Sequence, residues 1–459
     1  AGAGQRPERD GPEDPGLHRP DRIHPPLCRG RQPRRAHPGD RGPHPYWLPC
    51  ASGRAAGPER GLTPDPADWT GPARAILSAR LETGVDRPIA LALSGGGDSI
   101  ALLRLAAKWA RGNGRRLLAL TVDHGLSPDS AAWTAFAERA ARDAGADWRG
   151  LHWTAPKPAT GLPAAARMAR HRLIADAARE AGARVVLFAH TADDIAEGEV
   201  MRAEGSTLGR LRDWSPSPAW PEGRGLMLLR PMLGAGRGEV RDWLAGQGAD
   251  WIEDPGNEDV RFARSRARQA LALLPEPVPL TLSRKSDGSA AVCSGPLPMG
   301  EGSLELDRSI DGQILAAVLV CVGGGDQLPR GTRLAAIHAR LQSGEAFTAT
   351  LSGARIEARG DHVLVTREAG EFARRPRAPL LLAAGVQTVW DGRWAITVGS
   401  AGWAAAPAAG RMAALSGADR TRLKTLPAAA RGSVPVLIRN GATAPVLAGT
   451  AGKATSLVE

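Results

Sequence analysis

The sequence is poor in cysteine and tyrosine and has no long apolar run. Its 459 residues include only four cysteines and one tyrosine. The cysteines, at positions 28, 50, 293 and 321, are far apart and form no Cys-x-x-Cys pair, which argues against a disulfide framework, a zinc ribbon or an iron–sulfur cluster. No apolar run reaches the roughly 20 residues that cross a bilayer, and no charged start with an apolar core marks a signal peptide. These absences predict a cytoplasmic protein with no membrane partner.

The chain is strongly basic. It has 59 Lys and Arg against 48 Asp and Glu, a formal net charge of +11, and an isoelectric point near 10.5. Such a balance favours a polyanionic partner such as nucleic acid. An arginine-rich host proteome with GC-biased coding is the alternative explanation, so charge alone supports RNA binding only weakly.

The first 65 residues differ from the rest of the chain. They are crowded with Pro, Gly, Arg and His and contain neither lysine nor an amphipathic period. Such a segment cannot bury enough apolar surface to offset the entropy of ordering it. We expect residues 1–65 to be disordered or to be a spurious N-terminal extension; a basic arm that binds RNA is the functional alternative.

Residues 66–275 alternate between short apolar runs and helical patterns. Ser127 and Pro128 are predicted to open the first long helix, over 129–144, as N-cap and N1, and Gly145 closes it. A second helix is predicted over 164–181, closed by Gly182. This alternation predicts an α/β domain, a parallel sheet with helices on both faces. The apolar runs are Ile89–Leu93, Leu117–Val122, Trp148–Trp153, Val185–Ala189 and Leu226–Leu229.

The alternation stops after about residue 275. Residues 276–300 are predicted to be a linker, and residues 301–459 a smaller α+β region of one or two domains. Helical stretches at Ile310–Val322 and Thr332–Leu341 precede several short strand-like runs. This region is expected to be an accessory part that binds a partner; stabilising the first domain or mediating dimerisation is the alternative.

The most informative segment is Ser94–Ser99, a glycine turn between the first apolar run and a helical pattern. Three successive glycines let backbone N–H groups converge beside the positive N-terminus of a helix, which is a geometry that binds phosphate. No lysine follows, so this is not a Walker loop, and the glycine spacing is not that of a dinucleotide fingerprint. A carboxylate beside bound phosphates, Asp98, suits a magnesium ligand. The alternative is a simple helix cap.

Two further segments carry candidate nucleotide-contacting residues. His124 follows the second apolar run, where it would contact the nucleoside half of a bound nucleotide; a loop histidine with local hydrogen bonds is the alternative. Arg167 and Arg170 lie one helical turn apart and could clamp phosphate through two hydrogen bonds each. A solvated helix face is the alternative for them.

An acidic cluster and an arginine-rich strip complete the set. Asp194 and Glu197, with Asp193 beside them, fall on one side of an opening helical turn after the fourth apolar run, so they would share the cleft with Asp98. Acids at a helix N-terminus also favour the helix dipole, so a plain capped helix is the alternative. If 261–268 is helical, Arg261, Arg264 and Arg268 share a face that suits an RNA backbone.

In this order the segments resemble a known family. Ser94–Ser99 resembles the pyrophosphatase (PP) loop of the N-type ATP pyrophosphatases, whose fold is adenine nucleotide α-hydrolase-like. With His124, the Ala-Arg-x-x-Arg stretch, the His-x-x-Asp-Asp-x-x-Glu stretch and Arg230–Leu233, residues 87–275 resemble bacterial tRNA(Ile)-lysidine synthetases. The chain departs from that pattern at Pro163, Thr191, Ile195, Gly198 and Ser265.

The resemblance implies an ATP-dependent ligase. It would join free lysine to C2 of the wobble cytidine in the CAU anticodon of tRNA(Ile), through an adenylated tRNA intermediate, giving lysidine. Mg²⁺ would be held by Asp98 and Asp194, and Glu197 would hold the lysine or assist its deprotonation, while Arg167 or Arg170 neutralises charge on the phosphates. The implied ATP-binding residues are Ser94, Gly95, Gly96, Gly97, Asp98, Ser99 and His124, and the implied tRNA-binding residues are Arg261, Arg264, Arg266, Arg268 and the region 301–459.

Three rival functions stay open at this stage, and so does a homodimer. A thiolating tRNA enzyme of the two-thiocytidine type would use paired cysteines, which the wide cysteine spacing argues against. An amidating ligase shares the loop, but no glutaminase cysteine motif is present. A catalytically silent tRNA-binding relative would gain nothing from keeping Asp98, Asp194 and Glu197.

Overall fold

The computed structural model describes residues 68–206, 209–254, 263–273, 297–298, 302–325, 327–329, 331–439 and 444–458. The predictions for residues 1–65, for most of the 276–300 linker and for Arg261 lie outside the described residues.

The first half of the described chain alternates helices and strands. The helices are α1 (Thr70–Arg80), α2 (Gly97–Gly112), α3 (Ser130–Asp143), α4 (Leu162–Glu180), α5 (Ala192–Ala203), α6 (Arg237–Gly246) and α7 (Ala263–Ala272). The strands are β1 (Ile89–Ala92), β2 (Leu117–Asp123), β3 (Asp147–His152), β4 (Val185–Leu187), β5 (Trp214–Pro216) and β6 (Met227–Leu229).

Six strands form one sheet in the order β3-β2-β1-β4-β6-β5. The first five are parallel, whereas β5 pairs antiparallel with β6 at the edge. Ile89, Ala90 and Leu91 of β1 are all buried, because this central strand is covered on both faces. The prediction of a parallel sheet is confirmed, with one antiparallel edge strand that the sequence pattern did not indicate.

Helices cover both faces of the sheet, as predicted. Residues of α1, α2, α3 and α6 pack in one core, while α4 packs on the other face against Leu120 and Val186. Gly145 and Gly182 follow the ends of α3 and α4 with φ of 73° and 78°, a conformation that glycine adopts without strain. The predicted start of α3 was wrong, because the Ser127 hydroxyl accepts from the Asp129 N–H and its carbonyl from the Ser130 N–H, forming a separate turn.

The second half is built from antiparallel sheets. Its helices are α8 (Gly312–Gly323), α9 (Thr332–Gln342), α10 (Gly370–Arg374), α11 (Gly417–Lys424) and α12 (Ala448–Ala451). Its strands are β7 (Leu297–Pro298), β8 (Leu304–Leu306), β9 (Phe347–Leu351), β10 (Ala354–Arg359), β11 (His362–Arg367), β12 (Leu380–Leu382), β13 (Thr388–Trp390), β14 (Trp394–Val398), β15 (Trp403–Pro407), β16 (Pro435–Arg439), β17 (Val446–Leu447) and β18 (Gly452–Ser456).

These strands form three sheets, β7-β8-β11-β10-β9, β12-β15-β16-β17 and β13-β14-β18, around two apolar cores. One core also receives Trp220 from the first half, and Arg212 pairs with Asp311 at 3.2 Å, so the two halves are in direct contact. Within the described ranges, no helix is both long and apolar enough to span a bilayer.

Candidate active site

The candidate residues follow the carboxyl ends of adjacent parallel strands. β1 lies between β2 and β4, so the loops after these three strands meet at one edge of the sheet. Ser94–Ser99 follows β1, His124 follows β2, and the acidic segment that opens α5 follows β4. Ligands of open α/β sheets bind at such an edge, where the order of strands reverses.

The glycine loop after β1 is held by one hydroxyl and one neighbouring strand segment. Ser99 Oγ accepts from the Gly95 N–H at 3.1 Å and donates to the Gly96 carbonyl at 2.9 Å. The Ile252 N–H donates to the Gly95 carbonyl at 2.9 Å, which ties the segment after α6 to the loop. Gly95 has φ of 88°, and a Cβ there would lie 2.5 Å from the Ile252 side chain, so glycine is required.

Asp98 lies in the first turn of α2, beside the loop. Its Oδ1 is buried and has no hydrogen-bond partner among the described residues, while Oδ2 lies 3.5 Å from Arg237 Nε. Burial raises the pKa of Asp98, an effect that Arg237 opposes and the charge of Asp194 increases. The positive charge of Arg237 therefore does not fully offset the burial of this carboxylate.

The three acids of the α5 segment have different structural roles. Asp193 Oδ2 accepts from the backbone N–H of Arg237 at 2.7 Å and so caps the start of α6. Asp194 Oδ2 accepts from the Thr191 N–H at 2.9 Å, which caps α5 itself, and its Oδ1 faces the cleft. Glu197 is almost completely buried, with a side chain 1% exposed. Asp194 is thus a helix-capping residue through Oδ2, as the alternative interpretation of the sequence expected. Its Oδ1 takes no part in the cap and can contact a ligand in the cleft.

Three arginines converge on Glu197. Arg237 Nη1 and Arg268 Nε each lie 2.9 Å from Glu197 Oε1, and Arg264 Nε lies 3.3 Å from Oε2. Arg264 Nη2 also approaches Asp194 Oδ1 at 3.6 Å. Arg264 and Arg268 share a face of α7, as predicted, and that face is turned toward the acidic cluster while both side chains stay partly exposed. Arg266 is exposed on the same helix.

Sequence reasoning missed Arg237. Its side chain lies 3.5 Å from Asp98, 3.9 Å from Asp194 and 2.9 Å from Glu197. Burial alone would lower its pKa, but the contacts with Glu197, Asp194 and Asp98 outweigh burial and raise it. No sequence motif near Arg237 indicates this role. An arginine at the first position of an amphipathic helix is usually solvent-exposed, so the sequence alone does not single it out.

Arg167 and Arg170 lie beside this cluster on α4. Burial lowers the pKa of Arg170 to about 10, helped by the charges of Arg167 and Arg264, and burial likewise lowers the pKa of Arg167. Arg170 Nε is buried without a hydrogen-bond partner among the described residues. Burial and these arginines hold the pKa of His171 and His190 well below the ordinary value, so both rings are neutral near pH 7. The excess of buried positive charge favours an incoming anion.

His124 lies at the same edge of the sheet. Its ring meets Trp153 edge to face, with centroids 6.0 Å apart. Burial lowers its pKa, and the charge of Arg170 adds to that effect, which places His124 near the buried arginines. The structure thus brings together the loop, His124, Arg167, Arg170, the acids of α5 and two arginines of α7.

This chain is similar to several known proteins. Residues 74–275 match the model of a PP-loop domain. The tRNA(Ile)-lysidine synthase of Caulobacter vibrioides is 50% identical over 372 residues, which cover 81% of this chain and 89% of the relative. The enzymes of that name from Hyphomonas neptunium and Mesorhizobium japonicum are similar too. The Hyphomonas enzyme is 35% identical, over 68% of this chain and 88% of its own length. The Mesorhizobium enzyme is 36% identical, over 70% of this chain and 75% of its own length.

Proposed function

The chain belongs to the tRNA(Ile)-lysidine synthase family, and from that premise we propose that it joins lysine to C2 of the wobble cytidine in the CAU anticodon of tRNA(Ile). It is an ATP-using, tRNA-modifying ligase with a PP-loop domain. The observation that carries the proposal is the meeting of the glycine loop, three carboxylates and five arginines at one edge of the sheet. Because ATP and tRNA are cytoplasmic, we place the reaction in the cytoplasm.

In the first step the C2 oxygen of the cytidine attacks the α-phosphate of ATP, and pyrophosphate leaves. The N–H groups of Gly97 and Asp98 open α2 and have no carbonyl of their own helix to bond, so they can donate to phosphate. Arg167 and Arg170 would offset the negative charge that grows on the phosphates during transfer. Fixed donors and cations matter most at that point, because they need not reorganise as the charge develops.

The carboxylates also fit a magnesium ion. Oδ1 of Asp98, buried without a partner among the described residues, and the cleft-facing Oδ1 of Asp194 are oxygen ligands of the kind that Mg²⁺ prefers. Among the residues that the structure describes, no group of three or more His, Cys, Asp or Glu side chains could hold a metal ion. When bound, the ion would supply charge neutralisation at the phosphates.

In the second step the ε-amine of lysine attacks C2 and AMP leaves. The amine must lose its proton before it attacks, and a carboxylate beside it can accept that proton. Glu197 is the acid that would hold the ammonium group. For Glu197 to do so, one of its three arginines must move toward phosphate or RNA, so this role depends on substrates being present.

The thiolating alternative is not favoured by the described residues. Within these ranges the only free cysteine is Cys321, which lies in α8, outside the site. Burial raises its pKa to about 12, so it does not supply a thiolate near neutral pH.

Lysine transfer tests the proposal directly. We expect the protein, incubated with total bacterial tRNA, ATP and labelled lysine, to incorporate label into one tRNA, and nucleoside analysis to identify lysidine. Omitting ATP, or replacing the tRNA with transcripts lacking a CAU anticodon, should remove the label. Incorporation of sulfur instead, or tRNA binding with no ATP turnover, would contradict the proposal.

The region 301–459 is proposed to bind tRNA, because a tRNA is far larger than one cleft. Arg374, Arg375 and Arg377 are exposed around the end of α10. We expect changing all three to Gln to weaken tRNA binding by roughly tenfold or more and to reduce the salt slope of log Kd by about 2–3, since each lost phosphate contact removes about 0.7–0.9 of a unit. ATP binding should not change.

A gel-shift series across salt concentrations would measure this effect. The matched control changes Arg74, Arg139 and Arg142 to Gln, which removes the same charge from exposed positions of α1 and α3. If both triple variants lower the affinity and the slope equally, the effect is one of net charge and the region 301–459 has no tRNA contact at these arginines.

A further inference from the structure

The guanidinium of Arg237 lies among the three carboxylates of the site, those of Asp98, Asp194 and Glu197. Arg237 is the first residue of α6, and its side chain is only 16% exposed. Its guanidinium contacts Asp98 of the α2 turn through Nε and Glu197 of α5 through Nη1, with Asp194 at 3.9 Å from Nη2. One planar group therefore touches all three carboxylates to which the two reaction steps are assigned.

The orientation of Arg237 is itself fixed by α5. The Arg237 N–H donates to Asp193 Oδ2 at 2.7 Å, and the Ala192 N–H donates to the Ala235 carbonyl at 2.9 Å. The starts of α5 and α6 are thus joined by two hydrogen bonds. These bonds fix the backbone of Arg237 relative to the segment that carries Asp194 and Glu197. From that position its guanidinium contacts Asp98 on α2.

We propose that Arg237 is a positioning residue for adenylation: it holds Asp98, Asp194 and Glu197 at fixed separations and links the ATP loop to α5. The inference rests on the proposed function for its assignment of the two steps. Carboxylates held this close repel one another, and Asp98 is already disfavoured as an anion by burial. A planar guanidinium has five donors in a rigid fork and can hold several carboxylates at fixed separations, whereas an ammonium group is a point charge with three donors on a flexible stem.

The test compares Arg237→Gln and Arg237→Lys with a control on the same helix. Arg241 lies one turn further along α6 and pairs with Glu253 at 3.1 Å, near the surface. We expect Arg237→Gln to lower kcat for tRNA-dependent pyrophosphate release by about 10²-fold or more, since loss of one preorganised electrostatic contact costs ~10²–10³. The KM for ATP should change less than threefold. Arg237→Lys should recover part of the loss, and Arg241→Gln should stay within threefold of the unmodified protein.

Each outcome decides the inference. A kcat loss at near-constant KM, with partial rescue by lysine and unchanged thermal unfolding, supports positioning. If Arg237→Gln keeps a third or more of kcat, the inference is overturned. It is also overturned if Gln and Lys variants lose activity equally with a lowered Tm, because the residue then only stabilises the fold. An unmodified protein that releases pyrophosphate but never forms lysidine would contradict the proposed function, while leaving the test of Arg237 intact.

Discussion

Asp98→Asn is expected to abolish ATP-dependent adenylation, with a loss of about 10³-fold or more, while the protein stays folded. The change removes a charge at the glycine loop with almost no change in volume. Asp98 Oδ1 is buried beside the loop without a hydrogen-bond partner among the described residues, so we expect the carboxylate to serve a cation that comes with ATP and not the stability of the loop. Loss of a single preorganised electrostatic group costs ~10²–10³, and loss of the cation with it adds to that.

The pKa of Asp98 explains why stability should survive. Burial raises this pKa in the folded state, so the folded protein binds the proton more tightly than the unfolded chain does. Such a group makes the fold less stable as pH rises through its pKa, and at pH 7 its charge does not stabilise the protein. We therefore expect the Tm of Asp98→Asn to equal or slightly exceed that of the unmodified protein.

Asp176→Asn is the control for removing one carboxylate charge, because Asp176 lies on α4 outside the site and pairs with Arg179 at 3.5 Å near the surface. Pyrophosphate release and thermal unfolding should be measured on both variants. A folded Asp98→Asn variant that retains near-normal release of pyrophosphate would refute the assignment of Asp98 to the metal and phosphates.

Glu197→Gln is expected to have the second large effect: it should raise the lysine concentration that the reaction needs and lower the stability of the fold. The glutamate is 1% exposed and receives three guanidinium groups. Breaking a buried ion pair from one side costs about 3–5 kcal/mol, because the remaining charges are left uncompensated. We expect the Gln variant to unfold at a clearly lower temperature and to need a much higher lysine concentration, while ATP–pyrophosphate exchange is reduced far less.

Glu199→Gln gives the matched control two residues further along α5. Glu199 pairs with Arg202 and Arg210 near the surface, where an ion pair contributes about 0–1 kcal/mol. Its Tm and lysine requirement should therefore be close to those of the unmodified protein. If Glu197→Gln binds lysine normally and fails in adenylation, the assignment of Glu197 to the lysine step is wrong.

Asp194→Asn separates the two acids of α5. The Asn side chain keeps an oxygen that can accept from the Thr191 N–H, so the cap of α5 should persist. The lost charge lies on the oxygen that faces the cleft. We expect Asp194→Asn to impair ATP–pyrophosphate exchange, the opposite pattern to Glu197→Gln.

The sequence by itself determined the architecture of the first half and the location of the phosphate loop. The unalternating apolar run of β1, the helical period of α3 and α4, and the glycines that close them are local patterns, and each reflects burial or backbone freedom at nearby positions. Because parallel strands end at one edge of a sheet, the sequence alone places the loop and the acidic segment together. Thr191 is one of the positions at which the chain departs from the family pattern. It is buried at the N-cap of α5, and its backbone N–H still donates to the carboxylate of Asp194.

Only the tertiary structure decided how the charges pair. Arg237 meets Glu197 across 40 residues and Arg268 meets it across 71, and Ile252 of the segment after α6 supports the Gly95 carbonyl. A sequence pattern records which face of a helix is apolar, but it does not record which buried acid a given arginine will reach. That choice depends on the relative placement of α5, α6 and α7, which brings three arginines to the buried Glu197 so that its charge is not left without a cation.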